Sequence, residues 1–310
     1  MRIIFLGTPD FALPSLKALI DSPHELAAVI TNPDRKGNKL KLYAPPVKVM
    51  AEEAGIKVLQ YTCIRKEGAA DIRALKPDLM VTAAFGQIIS QEILDIPKYG
   101  VINVHGSLLP KYRGASPVQQ AVLNGDMETG ITIMRTEYAV DSGDIILAKS
   151  VLIDENETAG ELFDKLAILG ASALIEAVEL IDSDKAIYLP QNHDNATYCR
   201  MLTKESGIVS FEKTVKELHN FVRGLNPWPT AYTKLDGKIL KLWRIEKYDD
   251  TTDYVCGTII KADSKNGIIV QVKDGTVSLA ELQLEGGKRM SGKAFALGHS
   301  VALSSVLKYE

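Results

Sequence analysis

The chain has 310 residues, of which 46% are apolar and 24% charged, a composition typical of soluble globular proteins. A chain of this length predicts two domains. The net charge of −3 neither favours nor excludes a nucleic-acid partner. However, residues 1–187 are net acidic and residues 188–310 net basic, which is compatible with a polyanion bound by the second part of the chain.

The cysteines and the N-terminus exclude several other classes of protein. Cys63, Cys199 and Cys256 lie far apart, so they predict neither a disulfide framework nor a zinc site. The first apolar run is too short for a signal peptide, and no apolar stretch is long enough to span a membrane. We therefore expect a cytoplasmic protein.

In the first half of the chain, short apolar runs alternate with helical segments, which predicts a doubly wound α/β domain. Residues 2–6 form the first strand and lead through a turn into a helix over residues 11–20. That turn contains Gly7 but no GxGxxG pattern, so no dinucleotide site is predicted. Residues 26–31 and 78–82 are further buried strands.

A basic segment follows the second strand, between residues 32 and 46. It contains four cations, Arg35, Lys36, Lys39 and Lys41, opposed only by one acidic side chain, Asp34. A solvated surface loop is the ordinary explanation of such a cluster. Its place beside the carboxyl edge of the sheet favours a functional role instead.

The strongest signal lies between Gly100 and Pro117. Asn103 and His105 are two residues apart at the end of an apolar strand, so their side chains lie on one face. They lead into a loop rich in glycine and proline, at the sheet edge where ligands bind in open α/β sheets. The alternative is a core histidine that is hydrogen-bonded by a neighbouring asparagine.

A polar turn over residues 137–144 supplies two aspartates, Asp141 and Asp144, between two predicted strands. Aspartate is also favoured in turns for its own local hydrogen bonding, so the turn alone does not indicate a site. Beyond it, Thr158 is expected to cap a long amphipathic helix.

The second half of the chain predicts a separate, smaller β domain. The polar segment around residues 182–195 lacks periodicity, which indicates a linker. Short alternating strands with hairpin turns follow a helix over residues 215–223, and the last predicted strand covers residues 301–307. The predicted organisation is a catalytic domain at residues 1–187, a linker at residues 188–205 and a β-barrel domain at residues 206–310.

The polar groups of the first domain suit one kind of chemistry. No nucleophilic serine or cysteine motif and no metal-ligand spacing is present. Asn103 is able to donate to a developing oxyanion, His105 to act as donor or acid, and Asp141 to orient the histidine. Such a set suits acyl transfer between two amines without a metal.

The segments Asn103 to Pro110 (NVHGSLLP) and Val140 to Asp144 (VDSGD) together resemble the 10-formyltetrahydrofolate-dependent formyltransferases. Within that family the chain is most similar to members that formylate the methionine of charged initiator tRNA. This likeness runs from RIIFLGTPDF at residues 2–11 to LNPWP at residues 225–229.

The resemblance implies that Asn103, His105 and Asp141 are catalytic. It implies a Rossmann-like first domain, an OB-like second domain that helps to bind tRNA, and 10-formyltetrahydrofolate as co-substrate. The implied folate contacts are Phe85, Gly86, Gln87, Ile88, Ile89, Ser107, Leu108, Leu109, Pro110 and Asp144. The basic loop is implied to contact the acceptor stem through Arg35, Lys36, Lys39 or Lys41, and it departs from the Gly-Arg-Gly run that is common in the family.

The resemblance further implies transfer of the formyl group to the free α-amino group of methionyl-initiator-tRNA, for translation initiation, by a protein that we expect to be a monomer. One alternative is a folate-dependent formyltransferase for a small amine, such as a nucleotide or an amino sugar. It would share the three catalytic residues but would not need the basic loop or residues 206–310 in this form. The other is an inert folate- or RNA-binding module, against which the intact set of three argues.

Overall fold

The computed structural model describes residues 1–36 and 42–309 of the chain. Contacts between residues divide it into two compact units. Unit 1 comprises Met1–Pro117, Glu128–Leu152 and Phe163–Cys199, and unit 2 comprises Val118–Met127, Ile153–Leu162 and the residues from Arg200 onward. The catalytic-domain, linker and β-domain boundaries expected from the sequence stay a prediction.

The elements from the N-terminus to residue 199 are eleven strands and seven helices among the described residues. The strands are β1 (Arg2–Gly7), β2 (Glu25–Thr31), β3 (Arg35–Lys36), β4 (Leu42–Tyr43), β5 (Val58–Gln60), β6 (Leu79–Ala83), β7 (Val101–His105), β8 (Arg113–Gly114), β9 (Glu128–Arg135), β10 (Ile145–Leu152) and β11 (Tyr198–Cys199). The helices are α1 (Leu13–Ile20), α2 (Pro46–Glu53), α3 (Ile64–Glu67), α4 (Ala69–Leu75), α5 (Gln91–Leu94), α6 (Pro117–Asn124) and α7 (Ala159–Asp182).

Unit 1 is built on a seven-stranded sheet in the order β10-β9-β7-β6-β1-β2-β5. The five strands from β7 to β5 are parallel, whereas β9 and β10 are antiparallel additions at one edge. On β1, Ile3 and Phe5 alternate with Ile4 and Leu6, and all four side chains are buried. The sheet is therefore covered on both faces, as a continuous apolar strand requires, and the predicted doubly wound α/β class is confirmed.

Unit 2 contains an antiparallel sheet. From residue 200 its elements are α8 (Val215–Gly224), β12 (Ala231–Leu235), β13 (Lys238–Asp249), β14 (Ile259–Asp263), β15 (Gly267–Val272), β16 (Gly275–Leu284), β17 (Met290–Ser291) and α9 (Gly292–Gly298). Strand pairing runs in the order β12-β13-β16-β15-β14, with β17 added to β16. The α8 residues Leu218 and Val222 pack in one apolar cluster with strand residues such as Leu240 and Val270. The smaller antiparallel β domain expected from the sequence is confirmed, and closure of its sheet into a barrel stays a prediction.

The end of the chain differs from the sequence expectation. Residues 301–307 were expected as a strand, but only Val306 forms an isolated bridge, with Thr258. The helix α9 precedes this segment instead, and the Ser291 side chain caps it by accepting a hydrogen bond from the Ala294 N–H. Ser304 adopts a left-handed conformation at φ 63°, which an extended strand does not allow. None of the helices that the structure describes is both long enough and apolar enough to span a membrane.

Candidate active site

The candidate site begins at the carboxyl end of β7, where Asn103 and His105 occupy alternate positions of the strand. β7 lies between β6 and β9, pairing Asn103 with Thr82 on one side and Met134 on the other. The Thr82 hydroxyl donates a hydrogen bond of 2.8 Å to Oδ1 of Asn103. Because this bond occupies the amide oxygen, the amide nitrogen is the atom left to donate to a ligand.

His105 is 5% exposed, and both of its ring nitrogens face protein oxygens. Nε2 lies 3.0 Å from the carbonyl oxygen of Tyr112, and Nδ1 lies 3.6 Å from Oδ2 of Asp141. A carbonyl and a carboxylate only accept hydrogen bonds, so each ring nitrogen has an acceptor beside it. The distance to Asp141 is that of an ion pair, longer than a hydrogen bond. Two of the three predicted catalytic side chains therefore face each other directly.

Asp141 lies beside His105, although the turn that contains it begins near the opposite end of β7. The Thr136 N–H bonds to the carbonyl of Val101, at the opposite end of β7 from His105. Asp141 has φ 48°, and its Oδ2 accepts a 2.8 Å hydrogen bond from the Gly114 N–H. A carboxylate with a backbone donor on one side and an imidazole on the other is held where it stabilises charge on the ring or takes part in proton transfer.

A buried side-chain network lies behind this turn, and no pattern in the sequence indicated it. The Gln191 amide nitrogen donates to the carbonyl oxygens of Asp141 and Gly143, at 3.0 and 2.7 Å. Arg113 donates to the Gln191 amide oxygen. Residues 188–199, expected to belong to a linker, thus contact the candidate site within unit 1.

The loop after β6 contains the first group of predicted folate contacts. The Phe85 side chain is buried, and its carbonyl oxygen accepts a hydrogen bond from the Asn32 side chain. Gln87 bonds to the Asn32 side chain and to the backbone of Tyr61 and Ile64, so its side chain holds the loop in place. Ile88 is 65% exposed and Ile89 is buried. Because β6 and β7 are neighbours, this loop and the segment after His105 leave the same sheet edge.

The second group of predicted folate contacts, residues 107–110, is held by hydrogen bonds to β9. The Thr132 hydroxyl donates to the Ser107 carbonyl oxygen at 2.7 Å and accepts from the Leu109 N–H at 3.1 Å. The side chains of Ser107 and Leu109 are buried, whereas Leu108 and Pro110 are partly exposed. Asp144, in the turn before β10, is partly exposed, and its carbonyl oxygen accepts from the Arg135 N–H.

The basic segment is described only in part. Arg35 is exposed and pairs with Tyr43 across the β3–β4 ladder. Hydrogen bonding from Lys48 holds the pKa of Asp34 below its usual value. Lys39 and Lys41, and the side chain of Lys36, lie outside the described residues.

Three further features concern a thiol, possible metal ligands and a cavity. Burial raises the pKa of the Cys199 thiol, which donates to the carbonyl oxygens of Tyr112 and Arg113, so this thiol is not an activated nucleophile. Over the described ranges, no group of three or more His, Cys, Asp or Glu side chains is arranged to hold a metal ion. A cavity of about 750 Å³ in unit 2 is lined by residues that include His219, Arg223 and Lys247, and by no predicted site residue.

An α/β domain with an amide, an imidazole and a carboxylate at one sheet edge agrees with a formyl-transfer site, and comparison with known families gives the same class. Residues 1–178 match the family described as formyl transferase, and residues 201–300 match the formyl transferase C-terminal domain. The chain belongs to the formyl transferase family.

Relatives of the same length carry a more particular name. The chain is 45% identical to the methionyl-tRNA formyltransferase of Acetivibrio thermocellus over 99% of both chains. It is 46% identical to that of Desulforamulus reducens, over 100% of this chain and 98% of the other. Among solved structures it is similar to an N-formyltransferase from Helicobacter canadensis in complex with folinic acid and dTDP-3-aminofucose. That similarity has a TM-score of 0.68 at 18% identity, covering 94% of this chain and 100% of the other, and it supports the fold alone.

Proposed function

We propose that this protein is a methionyl-tRNA formyltransferase, which moves the formyl group of 10-formyltetrahydrofolate to the α-amino group of methionyl-initiator-tRNA. One observation carries the proposal: relatives with that name are 45% and 46% identical to the chain over at least 98% of both lengths. The likeness includes the second domain as well as the first. In this proposal the protein acts as a monomer in the cytoplasm and supplies N-formylmethionyl-tRNA for translation initiation.

Asn103 stabilises the negative charge that develops on the formyl oxygen during attack by the amine. Support comes from its hydrogen bond with Thr82, which engages the amide oxygen and leaves the amide nitrogen as donor. Among the described residues, no acceptor for that nitrogen is found. A donor that is oriented before the substrate binds needs no reorganisation in the transition state.

His105 and Asp141 hold and move the proton that the attacking amine loses. Asp141 keeps the imidazole oriented, supported by the 3.6 Å approach of its Oδ2 to Nδ1. In the unliganded arrangement Nε2 faces the Tyr112 carbonyl, so we propose that it exchanges this partner for the substrate. Apo active-site hydrogen bonds commonly rearrange in this way when the complex forms.

10-Formyltetrahydrofolate supplies the formyl carbon and an amine leaving group. The residues after β6 suit the flat ring of a folate. Gly86 has φ 77°, and among the described residues only the Asn32 side-chain nitrogen lies within 4 Å of where a Cβ would be, so a ring has room beside the backbone. Ile88 offers exposed apolar surface next to it. We assign folate binding to the loop 85–89, to residues 107–110 and to Asp144.

The tRNA acceptor stem is assigned to the basic segment that contains Arg35, Lys36, Lys39 and Lys41. Arginine and lysine side chains bind phosphates without reading base sequence. The net positive charge of residues 188–310 adds support for a polyanionic substrate.

A formyl-transfer assay tests the proposal with purified full-length protein and 10-formyltetrahydrofolate. The acceptors are initiator methionyl-tRNA, free methionine and glycinamide ribonucleotide, assayed side by side. We expect formylation of the charged tRNA alone. Formylation of a small amine would keep the catalytic assignment and overturn the substrate, whereas folate binding without transfer to any acceptor would indicate a binding module.

A further inference from the structure

Gln191 is a buried amide whose two donors are both used on the turn that contains Asp141. Its side chain is 5% exposed. The amide nitrogen donates to the carbonyl oxygen of Asp141 at 3.0 Å and to that of Gly143 at 2.7 Å. It therefore fixes the backbone on both sides of Ser142, immediately beside the proposed catalytic carboxylate.

Arg113 decides which way round the Gln191 amide lies. Its Nε and Nη2 donate to Oε1 of Gln191 at 3.1 and 2.6 Å, and Nη2 also contacts Nδ1 of His193 at 3.0 Å. A guanidinium donates hydrogen bonds but never accepts them, so the glutamine oxygen must face Arg113 and its nitrogen must face the turn. Arg113 is 3% exposed, so water does not replace this contact.

The backbone conformation of this turn explains why support from outside it matters. Asp141 has a left-handed backbone, which is unfavourable for a residue with a side chain. At Gly143 a Cβ would collide with the carbonyl oxygen of Arg135, so the turn also tolerates no side chain there. The Gly114 N–H binds the carboxylate itself. The pair Arg113–Gly114 thus holds Asp141 twice, directly at the carboxylate and through Gln191 at the backbone.

We propose that Gln191, oriented by Arg113, is a positioning residue for formyl transfer, which keeps the Asp141 carboxylate facing His105. This inference rests on the proposed function, since it assigns Gln191 a role only through Asp141. Neither Gln191 nor Arg113 needs to touch the substrate for this role. Loss of the Gln191 donors frees the turn, and a carboxylate displaced by about 1 Å is enough to lower turnover strongly.

The first test is Gln191→Met in the full-length protein, which keeps the size of the side chain and removes its donors. With both substrates saturating, we expect kcat to fall about 10- to 100-fold, with each KM within about twofold of the parent value, since the substrate contacts are retained. Gln91→Met is the matched control, because Gln91 is exposed on α5 and its side chain donates to the nearby Asp95 carboxylate. It should keep the parent kcat.

The second test repeats Gln191→Met in an Asp141→Asn background. If Gln191 acts through Asp141, the added substitution should lower kcat little further, because residues that act as one unit are not additive. A full second loss of kcat in that background would indicate general structural damage and would overturn the inference. An unchanged kcat for Gln191→Met alone, with Asp141→Asn impaired, would also overturn it and leave the proposed function intact.

Two further outcomes are distinguishable. If Asp141→Asn itself keeps the parent kcat, the role of Asp141 fails, and the positioning role fails with it. If Gln191→Met does not fold, Gln191→Glu carries the same test, because it keeps an acceptor for Arg113 and removes only the donors to the turn. A Gln191→Glu protein with the parent kcat would contradict the inference.

Discussion

At the scale of single residues, the hydroxyl of Thr82 orients the amide of Asn103 through a 2.8 Å hydrogen bond. Without it the amide is free to rotate and presents its oxygen to the substrate in part of the molecules. We expect Thr82→Val to lower kcat about tenfold, and Asn103→Ala, which removes the donor, to lower it about 10²- to 10³-fold. Steady-state kinetics measure both, and the exposed Thr252→Val serves as control. A larger loss from Thr82→Val than from Asn103→Ala would contradict this order.

The histidine and the aspartate are expected to act on turnover and much less on tRNA binding. His105→Ala removes the proton acceptor and Asp141→Asn removes the charge that faces it at 3.6 Å. Each should cut kcat by at least about 10²-fold while the Kd for tRNA changes little, since neither is assigned to the tRNA. Rapid-mix turnover and a filter-binding titration separate the two effects. Near-parent turnover of either variant with saturating substrates would remove that residue from the mechanism.

At the scale of elements, α8 begins with a complete capping box. Thr214 accepts from the Glu217 N–H, and the Glu217 carboxylate accepts from the Thr214 N–H. We expect Thr214→Ala to destabilise the helix by about 1 kcal/mol, which amounts to about fivefold faster amide exchange across residues 215–224. Hydrogen exchange with mass spectrometry measures this, and Thr252→Ala is the matched control. Unchanged protection of α8 would show that tertiary packing alone maintains this helix end.

The same capping box predicts a dependence on pH. Hydrogen bonds from Thr214 lower the pKa of Glu217 from its ordinary value of 4.5. The stabilisation by this carboxylate is therefore complete above the ordinary pKa and disappears as the pH falls through the lowered one. Glu217→Gln should speed exchange of α8 at neutral pH and have no effect once the pH lies below the lowered pKa.

The basic segment is the other element with a prediction of its own. Neutralising Lys36, Lys39 and Lys41 together should raise the apparent KM for tRNA, because phosphate contacts are lost. It should also flatten the dependence of that KM on salt, since fewer counterions are released on binding. The KM measured from 50 to 200 mM salt tests both effects. An unchanged salt slope would exclude this segment from the tRNA interface.

At the scale of the whole molecule, unit 2 draws on three separate parts of the sequence. Arg223 is buried and donates to the carbonyl oxygens of Asp154 and Glu157, and Gly224 packs against Leu123. Residues 118–127 and 153–162 thus have their partners beyond residue 200. Residues from Arg200 onward therefore contribute contacts to segments of unit 2 that come earlier in the chain.

A chain that ends at residue 199 should consequently be less stable than the complete protein. It removes Gly224 and Arg223, and with them the packing against Leu123 and the donors to the carbonyl oxygens of Asp154 and Glu157. We expect a thermal midpoint at least several degrees lower, or aggregation, when the two proteins are heated under the same conditions. Equal midpoints for the two chains would show that residues 1–199 form an independent folding unit.

Local patterns in the sequence determined the alternation of strands and helices, the position of Asn103 and His105 on one strand face, and the resemblance to formyltransferases. These features depend on neighbours within a few residues, where side-chain periodicity and motif spacing are visible. One local prediction was wrong: residues 301–307 do not form the expected strand, and they follow the capped helix α9.

Long-range contacts in the folded chain determine what holds the proposed catalytic groups. Thr82 and Asn103 are 21 residues apart, Asp141 and Gln191 are 50 apart, and Arg113 and Gln191 are 78 apart. No periodicity connects residues at such separations, and Gln191 lies in a polar segment whose composition is that of a linker. The chemistry was visible in the sequence because it is local, whereas the positioning of Asp141 depends on long-range hydrogen bonds that exist only once the sheet has formed.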